Sequence, residues 1–164
     1  MNKLIIATHG YMAKGIKSAL AIIAGDVSNV IDINAFTEEC PNLDQRVAEL
    51  LSQYQDDEIL VLTDVYFGGV NQAFMRAQRD RAFPLATGVN LPLAMELYHS
   101  IGEKLSLEEI AEIAALSGSA CQLVRQAHPS AQAEDAEEEL GWLPYIYNRY
   151  FRVDRKFSFS RRIC

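Results

Sequence analysis

The sequence predicts an α/β domain in which a mostly parallel sheet carries helices on both faces. Four short apolar runs without polar alternation are typical of strands buried on both sides, as in parallel sheets. Amphipathic stretches of helical period separate these runs, so strands and helices alternate along the chain. With short connections and right-handed crossovers, we expect a doubly wound sheet with the strand order 2-1-3-4.

The predicted strands are the apolar runs themselves. They cover Lys3–Thr8, Val30–Ala35 and Ile59–Thr63, and a weaker fourth run covers Phe83–Thr87. None of them approaches the ~20 consecutive apolar residues that a membrane-spanning helix needs. We therefore predict no membrane insertion.

Each predicted helix combines an apolar stripe with signals for its ends. Asn42 with Gln45, and Ser106 with Glu109, have the spacing of an N-terminal capping box. Pro92 falls in the first turn of the fourth helix, where its missing N–H is not needed. The apolar stripes are Met12, Ile16, Ala19, Leu20 and Ile23; Leu43, Val47, Leu50, Leu51 and Tyr54; Ala73, Phe74 and Ala77; and Ile110, Ile113 and Ala114, with Leu123 or Val124 beyond them.

Length and charge indicate one soluble domain with an additional C-terminal segment. The chain has 164 residues and a net charge of −7, so it lacks the basic face that nucleic-acid binding requires. Residues 1–140 hold nine basic and 21 acidic residues, whereas 141–164 hold six basic residues and one acidic residue. We predict a domain over 1–130, followed over 131–164 by an acidic segment and a basic aromatic tail that is either a docking tail or foreign to the domain.

The cysteines and the absent motifs argue against bound metals and cofactors. Cys40, Cys121 and Cys164 lie far apart without a CxxC pair, which gives neither a disulfide framework nor a zinc site. No second metal ligand stands at ligand spacing from His9. P-loop and GxGxxG patterns are missing, which disfavours nucleotide and dinucleotide cofactors. We expect a cytoplasmic protein without cofactor or metal.

Two titratable side chains end neighbouring strands at one edge of the predicted sheet. The first strand ends in Thr8-His9-Gly10, and the third ends in Thr63-Asp64. Adjacent strands lie about 5 Å apart, so His9 and Asp64 are expected to meet where the winding of the sheet reverses. A carboxylate bonded to one ring nitrogen fixes the tautomer and leaves the other nitrogen as a positioned nucleophile.

Glycines beside this pair predict an anion site. The first helix begins just after Gly10, and its unpaired N–H groups and positive dipole end favour an anion. Gly68 and Gly69 precede the third helix and bring further N–H groups close. We count Gly10, Gly68, Gly69 and Thr63 as candidate phosphate contacts. An imidazole between two helix N-termini suits a phosphoryl group, although a histidine that only caps its strand remains the alternative.

A resemblance to a known protein family is found in three segments: "IIATHGYMAKGIKSALAIIAG", "VLTDVYFGGVNQAFMRA" and "TGVNLPLAMEL". It runs from residue 3 to about residue 128. Together they resemble the IIA domain of the mannose family of the bacterial phosphoenolpyruvate-dependent sugar phosphotransferase system. The resemblance implies a cytoplasmic phosphotransferase, usually a homodimer that exchanges a C-terminal strand. Such a protein carries a phosphoryl group from phospho-HPr to a IIB protein during sugar uptake. The family's phosphorylated histidine falls on His9, and its hydrogen-bonded aspartate falls on Asp64.

The second segment departs from the family pattern in one place. Many relatives read D-L-F-G-G-S-V-N-Q where this chain reads D-V-Y-F-G-G-V-N-Q. Phe67 therefore takes the position of the first glycine, and Gly69 takes that of the serine. The loop loses a hydroxyl and gains a bulky aromatic ring, which puts its phosphate contacts and its partner preference in question.

Three other functions stay open on the sequence. A phosphotransfer subunit of a dihydroxyacetone kinase would use His9 in the same way with a different acceptor protein. A regulatory module would be phosphorylated and pass nothing on, with the 67–69 loop and the aromatic tail as its docking surface. A flavodoxin-like ligand-binding domain would use His9 only as a strand cap.

Overall fold

The computed structural model describes residues 2–118, and a parallel sheet stands at the centre of this region. Its strands form the order β2-β1-β3-β4, which confirms the predicted topology. The predicted boundary near residue 130, the segment 131–164 and the helix positions Leu123 and Val124 lie outside the described residues. The strands are β1 (Lys3–His9), β2 (Val30–Ala35), β3 (Ile59–Thr63) and β4 (Leu85–Thr87).

Helices cover both faces of this sheet, as the prediction of a doubly wound fold requires. They are α1 (Met12–Ala24), α2 (Leu43–Gln53), α3 (Gly69–Ala77), α4 (Leu91–His99) and α5 (Leu107–Gly118). The first, fourth and fifth helices contribute buried side chains to one hydrophobic cluster, and the second and third contribute to the other. Within residues 2–118, no helix is long and apolar enough to cross a membrane.

The central strand β1 shows how one run of residues serves both clusters. Successive side chains of a strand point to opposite faces, so Leu4 and Ile6 join the cluster of α1, α4 and α5. Ile5 and Ala7 join the cluster of α2 and α3. All four are fully buried, and each buried Leu or Ile stabilises the fold by about 1.5–3 kcal/mol. This two-sided burial explains why the run lacks polar alternation.

Two strand ends differ from the prediction. β1 extends one residue further, so His9 is its last residue. β4 begins at Leu85 instead of Phe83, because Pro84 has no N–H to donate to the ladder. The Pro84 carbonyl oxygen still accepts the N–H of Val61 at 3.0 Å, so the chain joins the sheet here without forming a strand.

The buried stripe of α1 also differs from the prediction. Met12 and Ile23 are 44% and 47% exposed. The Thr8 hydroxyl accepts the N–H of Ala13 at 2.8 Å and fixes the start of the helix. The helix keeps Ile16 and Leu20 of the predicted stripe buried, and Ala13 takes the place of Met12 at its start. Its buried side chains are Ala13, Ile16 and Leu20.

The predicted helix caps are present. The Asn42 side chain accepts the N–H of Gln45 at 3.1 Å. At α5 the capping box is reciprocal: the Ser106 hydroxyl accepts the N–H of Glu109 at 3.2 Å, and the Glu109 carboxylate accepts the N–H of Ser106 at 2.8 Å. Hydrogen bonding from the backbone N–H and the side chain of Ser106 to the carboxylate holds the pKa of Glu109 below its usual value.

We predict that Ser106→Ala lowers the free energy of unfolding by about 1 kcal/mol, because the first turn of α5 loses its cap. Urea unfolding followed by circular dichroism measures this change. Ser106→Thr is the matched control, since it keeps the capping hydroxyl and should stay close to the parent. An equal loss in both variants would contradict the capping role.

Candidate active site

The pairing of β1 with β3 brings two sequence-distant segments together at one edge of the sheet. Ala7 lies opposite Thr63 in this parallel ladder, so the residues that follow them leave the sheet side by side. These residues include His9 and Asp64, which lie 55 positions apart in the sequence. The edge is the one at the carboxyl ends of the strands, where doubly wound folds bind ligands.

Asp64 holds His9 through a single carboxylate oxygen. Asp64 Oδ2 accepts the backbone N–H of His9 at 2.8 Å and lies 2.9 Å from the ring nitrogen Nδ1. The other oxygen, Oδ1, accepts the N–H of Val65 at 2.9 Å. The side chain of Asp64 is 10% exposed and that of His9 is 44% exposed. The imidazole is therefore fixed on one side and open on the other.

The electrostatics of the pair determine which ring nitrogen can react. Burial by itself would raise the pKa of Asp64, but the hydrogen bonds from His9 and Val65 outweigh it and hold this pKa below its usual value. An ionised carboxylate can only accept hydrogen bonds, so Nδ1 of His9 carries a proton. Nε2 then keeps its lone pair, which makes it the ring nitrogen able to act as a nucleophile.

Phe36 and Gly68 lie against other parts of the His9 ring. The ring of Phe36 lies 5.2 Å from that of His9, with a tilt of 34°. A Cβ atom on Gly68 would lie 3.3 Å from Cε1 of His9 and 3.1 Å from the carbonyl oxygen of Val65. A Cβ on Gly69 would lie 3.0 Å from Phe36. At both positions a side chain could be added only if the imidazole, Val65 or Phe36 moved, so the two glycines allow α3 to lie close to these groups.

Backbone N–H groups at the start of α1 already donate hydrogen bonds to acceptors within the protein. Gly10 adopts a left-handed φ of 58° and donates its N–H to the carbonyl of Ala35 at 3.0 Å. Thr8 accepts the N–H of Ala13, and the Asn34 side chain accepts the N–H of Lys14 at 3.1 Å. The N–H of Gly10 is therefore engaged within the protein, and its glycine is explained by the turn into the helix.

Thr63 lies beneath the crevice rather than in it. The residue is fully buried, and its hydroxyl lies 3.1 Å from the Thr87 hydroxyl and accepts the Asn71 amide at 3.1 Å. A direct phosphate contact from Thr63 does not fit this geometry. Its hydroxyl instead supports Asn71, a residue to which sequence reasoning gave no role.

The start of α3 is the more open of the two helix N-termini. Gly68 is its N-cap residue, and no side chain caps it. The first N–H groups of a helix have no partner within the helix, so those of α3 are available beside the His9 ring. Of the predicted site residues, the structure thus brings together His9, Asp64, Gly68 and Gly69.

Apolar side chains and paired charges surround the crevice. Lys14 binds Glu39 at 2.7 Å, and the hydrogen bond and charge of Glu39 raise the pKa of Lys14. In the described part of the chain, no group of three acidic, histidine or cysteine side chains could hold a metal ion. The exposed apolar residues beside the site, called the apolar rim below, are Tyr11, Phe36, Val65, Tyr66 and Phe67.

A comparison of the chain with known protein families identifies its family. The family described as "PTS system fructose IIA component", of the phosphotransferase system, matches residues 3–115. The chain belongs to this family. It is 31% identical over 114 residues to the fructose-specific EIIA component of Bacillus subtilis (strain 168), which covers 67% of this chain and 77% of the relative. The resemblance to the mannose-type IIA domain is thereby confirmed.

Solved structures agree with this assignment. A protein of the phosphoenolpyruvate-dependent sugar phosphotransferase system from Klebsiella pneumoniae is 31% identical, with a TM-score of 0.68 over 76% of this chain and 92% of its own. The mannose/sorbose-specific IIA subunit from Enterococcus faecalis has the same TM-score of 0.68 at 21% identity, over 79% of this chain and 98% of its own. The second likeness supports the fold of this IIA component.

We expect Asp64 to stabilise the IIA component at neutral pH and to lose this contribution in acid. Its pKa in the folded state is lowered, so the contribution is present above the unfolded-state pKa of about 3.9 and is lost as the pH falls through the folded-state value. Urea unfolding of the parent and of Asp64→Asn measures the difference. The margin should be full above about pH 5 and shrink below about pH 4, and a constant margin would contradict the prediction.

We predict that Gly68→Ala displaces the His9 ring and destabilises the fold by about 1–3 kcal/mol, because the added Cβ meets His9 and Val65 too closely. The ¹⁵N and ¹³C shifts of the imidazole report the displacement. Gly15→Ala is the control: that Cβ meets nothing within 4 Å, and alanine favours a helix by about 1 kcal/mol. Unchanged His9 shifts in Gly68→Ala would overturn the prediction.

Proposed function

We propose that this IIA component is a cytoplasmic phosphocarrier that accepts a phosphoryl group on His9 from phospho-HPr and passes it to a IIB protein during sugar uptake. The observation that carries the proposal is the 2.9 Å contact between Asp64 and Nδ1 of His9, which leaves Nε2 open beside the uncapped start of α3. A histidine that only capped its strand would need neither the oriented tautomer nor the exposed nitrogen.

Two transfer steps of the same kind make up the proposed reaction. Nε2 of His9 attacks the phosphorus of the phosphohistidine of HPr, the P–N bond of the donor breaks, and a new P–Nε2 bond forms. The proton on Nδ1 stays in its hydrogen bond, and the Asp64 carboxylate stabilises the positive charge that the ring acquires. In the second step the nucleophile of IIB displaces His9 from the phosphoryl group. Both transition states are loose, so positioning and hydrogen bonding supply most of the catalysis.

The phosphoryl oxygens are proposed to bind the N–H groups of Gly69 and of the first turn of α3. Gly68 supports this contact because its missing side chain lets α3 approach His9. Gly10 forms the turn that leads from β1 into α1. Thr63 accepts a hydrogen bond from Asn71 and is proposed to act through that residue, without contacting the phosphate. The nearby ammonium of Lys14 is paired with Glu39. A site without a strong cationic clamp suits a carrier, since such a clamp would hold the phosphoryl group and slow its release.

The apolar rim is proposed as the surface on which the protein partners dock. Tyr66 is 70% exposed and packs edge-on against Phe67, with 4.9 Å between ring centroids. Exposed aromatic residues are enriched in the centres of protein interfaces.

Family resemblance is the support for a homodimer with an exchanged C-terminal strand. Because the Bacillus subtilis relative is fructose-specific, fructose is the first sugar to test.

We expect His9 to become labelled when the protein is incubated with [³²P]phosphoenolpyruvate, enzyme I and HPr. The label should be labile in acid and stable in base, as a phosphoramidate is. His9→Ala should abolish it, and His99→Gln, which removes a histidine on α4, should label like the parent. Equal labelling of His9→Ala and the parent would refute the proposal.

A variant of Asp64 tests the orienting role of this carboxylate, and added IIB protein tests the onward transfer of the phosphoryl group. Asp64→Ala should slow labelling by about 10- to 100-fold, because the ring loses its fixed orientation. Added IIB protein should discharge the labelled parent. Label that stays on His9 would favour the regulatory module.

A further inference from the structure

The loop between Asp64 and α3 contains a strained turn. The N–H of Gly68 donates to the carbonyl of Val65 at 3.0 Å and closes a four-residue turn. Phe67, the third residue of the turn, has a φ of 58°. This left-handed conformation at the third turn position favours glycine, and the family pattern places glycine there. Phe67 adopts it although its ring is 58% exposed and gains nothing from the core.

Two side chains from α3 hold the backbone of Phe67 in this conformation. The Asn71 side-chain oxygen accepts the N–H of Phe67 at 3.1 Å, and the Gln72 amide donates to the Phe67 carbonyl at 2.6 Å. Asn71 is itself only 2% exposed. Its NH₂ group donates to the hydroxyls of Thr63 and Thr87 at 3.1 and 2.8 Å. The two hydroxyls thus fix the NH₂ end of the amide, and its oxygen is directed at the N–H of Phe67.

The turn determines where the neighbours of His9 lie. Asp64, directly before it, bonds the backbone and the ring of His9. Gly68, at its end, lies so close that a Cβ there would be 3.3 Å from the imidazole. If Phe67 relaxed to a negative φ, the direction of the chain between these two residues would change. The contacts on two sides of the ring therefore depend on the Phe67 backbone.

We propose that Asn71, assisted by Gln72, is a positioning residue for phosphoryl transfer at His9. The Asn71 side chain bonds the Phe67 backbone and the hydroxyls of Thr63 and Thr87, and it does not act on the phosphoryl group. It acts by stabilising the left-handed Phe67, which sets Asp64 and Gly68 against the ring. The proposal rests on the proposed role of His9 as phosphoryl acceptor, and it adds a residue that acts through the turn.

The test compares Asn71→Ala, Phe67→Gly and the double variant in transfer from phospho-HPr. Asn71→Ala should slow transfer to His9 by about 10- to 100-fold, because misplacement of about 1 Å has effects of this size. The double variant should recover most of the rate, since glycine adopts a left-handed φ without help. A purely structural loss at Asn71 would not be rescued by a change at Phe67, so non-additivity identifies the mechanism.

A second readout does not depend on transfer. The ¹⁵N shifts of the imidazole report how fully Nδ1 keeps its proton, and Asn71→Ala should shift them toward a mixture of tautomers. The double variant should restore the parent pattern. Ser106→Ala is the stability control, because it removes the cap of α5 and leaves the hydrogen bonds of Asn71 and Phe67 in place. It should lower stability while keeping the rate and the imidazole shifts.

The outcomes separate this inference from the proposed function. Labelling of the parent tests the role of His9, and the imidazole shifts test the role of Asn71 even if the parent does not label. A parental rate and parental shifts in Asn71→Ala would overturn the inference, and so would losses that Phe67→Gly does not rescue. If Asn71→Ala does not fold, Gln72→Ala is used instead, because it removes the other side-chain hydrogen bond to the Phe67 backbone. Parental shifts in that variant would then overturn the inference.

Discussion

One carboxylate oxygen of Asp64 links the ends of the two central strands. It accepts the backbone N–H of His9 and faces the Nδ1 atom of the same residue, so it fixes both where the chain leaves β1 and how the imidazole is turned. The bond exists because β1 and β3 are neighbours in register. The chemistry of the site thus depends on sheet topology, and the topology depends on the two-sided burial of β1.

The two helix N-termini beside His9 are electrostatically alike but chemically different. Both present a positive dipole end to the crevice. At α1, however, the side chains of Thr8 and Asn34 accept N–H groups of the first turn, which secures the helix against β1 and β2. At α3 no side chain takes that place. This difference gives α1 an anchoring role and leaves α3 as the side from which a phosphoryl group can be held.

Much of this arrangement could be predicted from the sequence, because it depends on local patterns. Continuous apolar runs predicted the strands, and the strand order placed His9 and Asp64 together. The occupancy of individual N–H groups could not be predicted in this way. Whether Gly10 donates to a phosphate or to Ala35, and whether Thr63 faces the crevice or Asn71, depends on side-chain directions that no spacing encodes. Met12 and Ile23 were wrongly placed in the buried stripe of α1 because apolar residues cover most of the helix circumference, whereas Ile16 and Leu20 are buried as predicted.

The backbone strain in the loops is found at the same site as His9 and Asp64. Among residues 2–118, the non-glycine residues with positive φ are Phe36 and Phe67. One packs on the His9 ring, and the other lies in the turn between Asp64 and Gly68. Strained backbone persists only where its surroundings hold it and is concentrated at functional sites. Here Asn71 and Gln72 hold Phe67 where a glycine would suffice. The result is an exposed aromatic ring, packed on Tyr66, in the turn whose two ends contact the His9 imidazole.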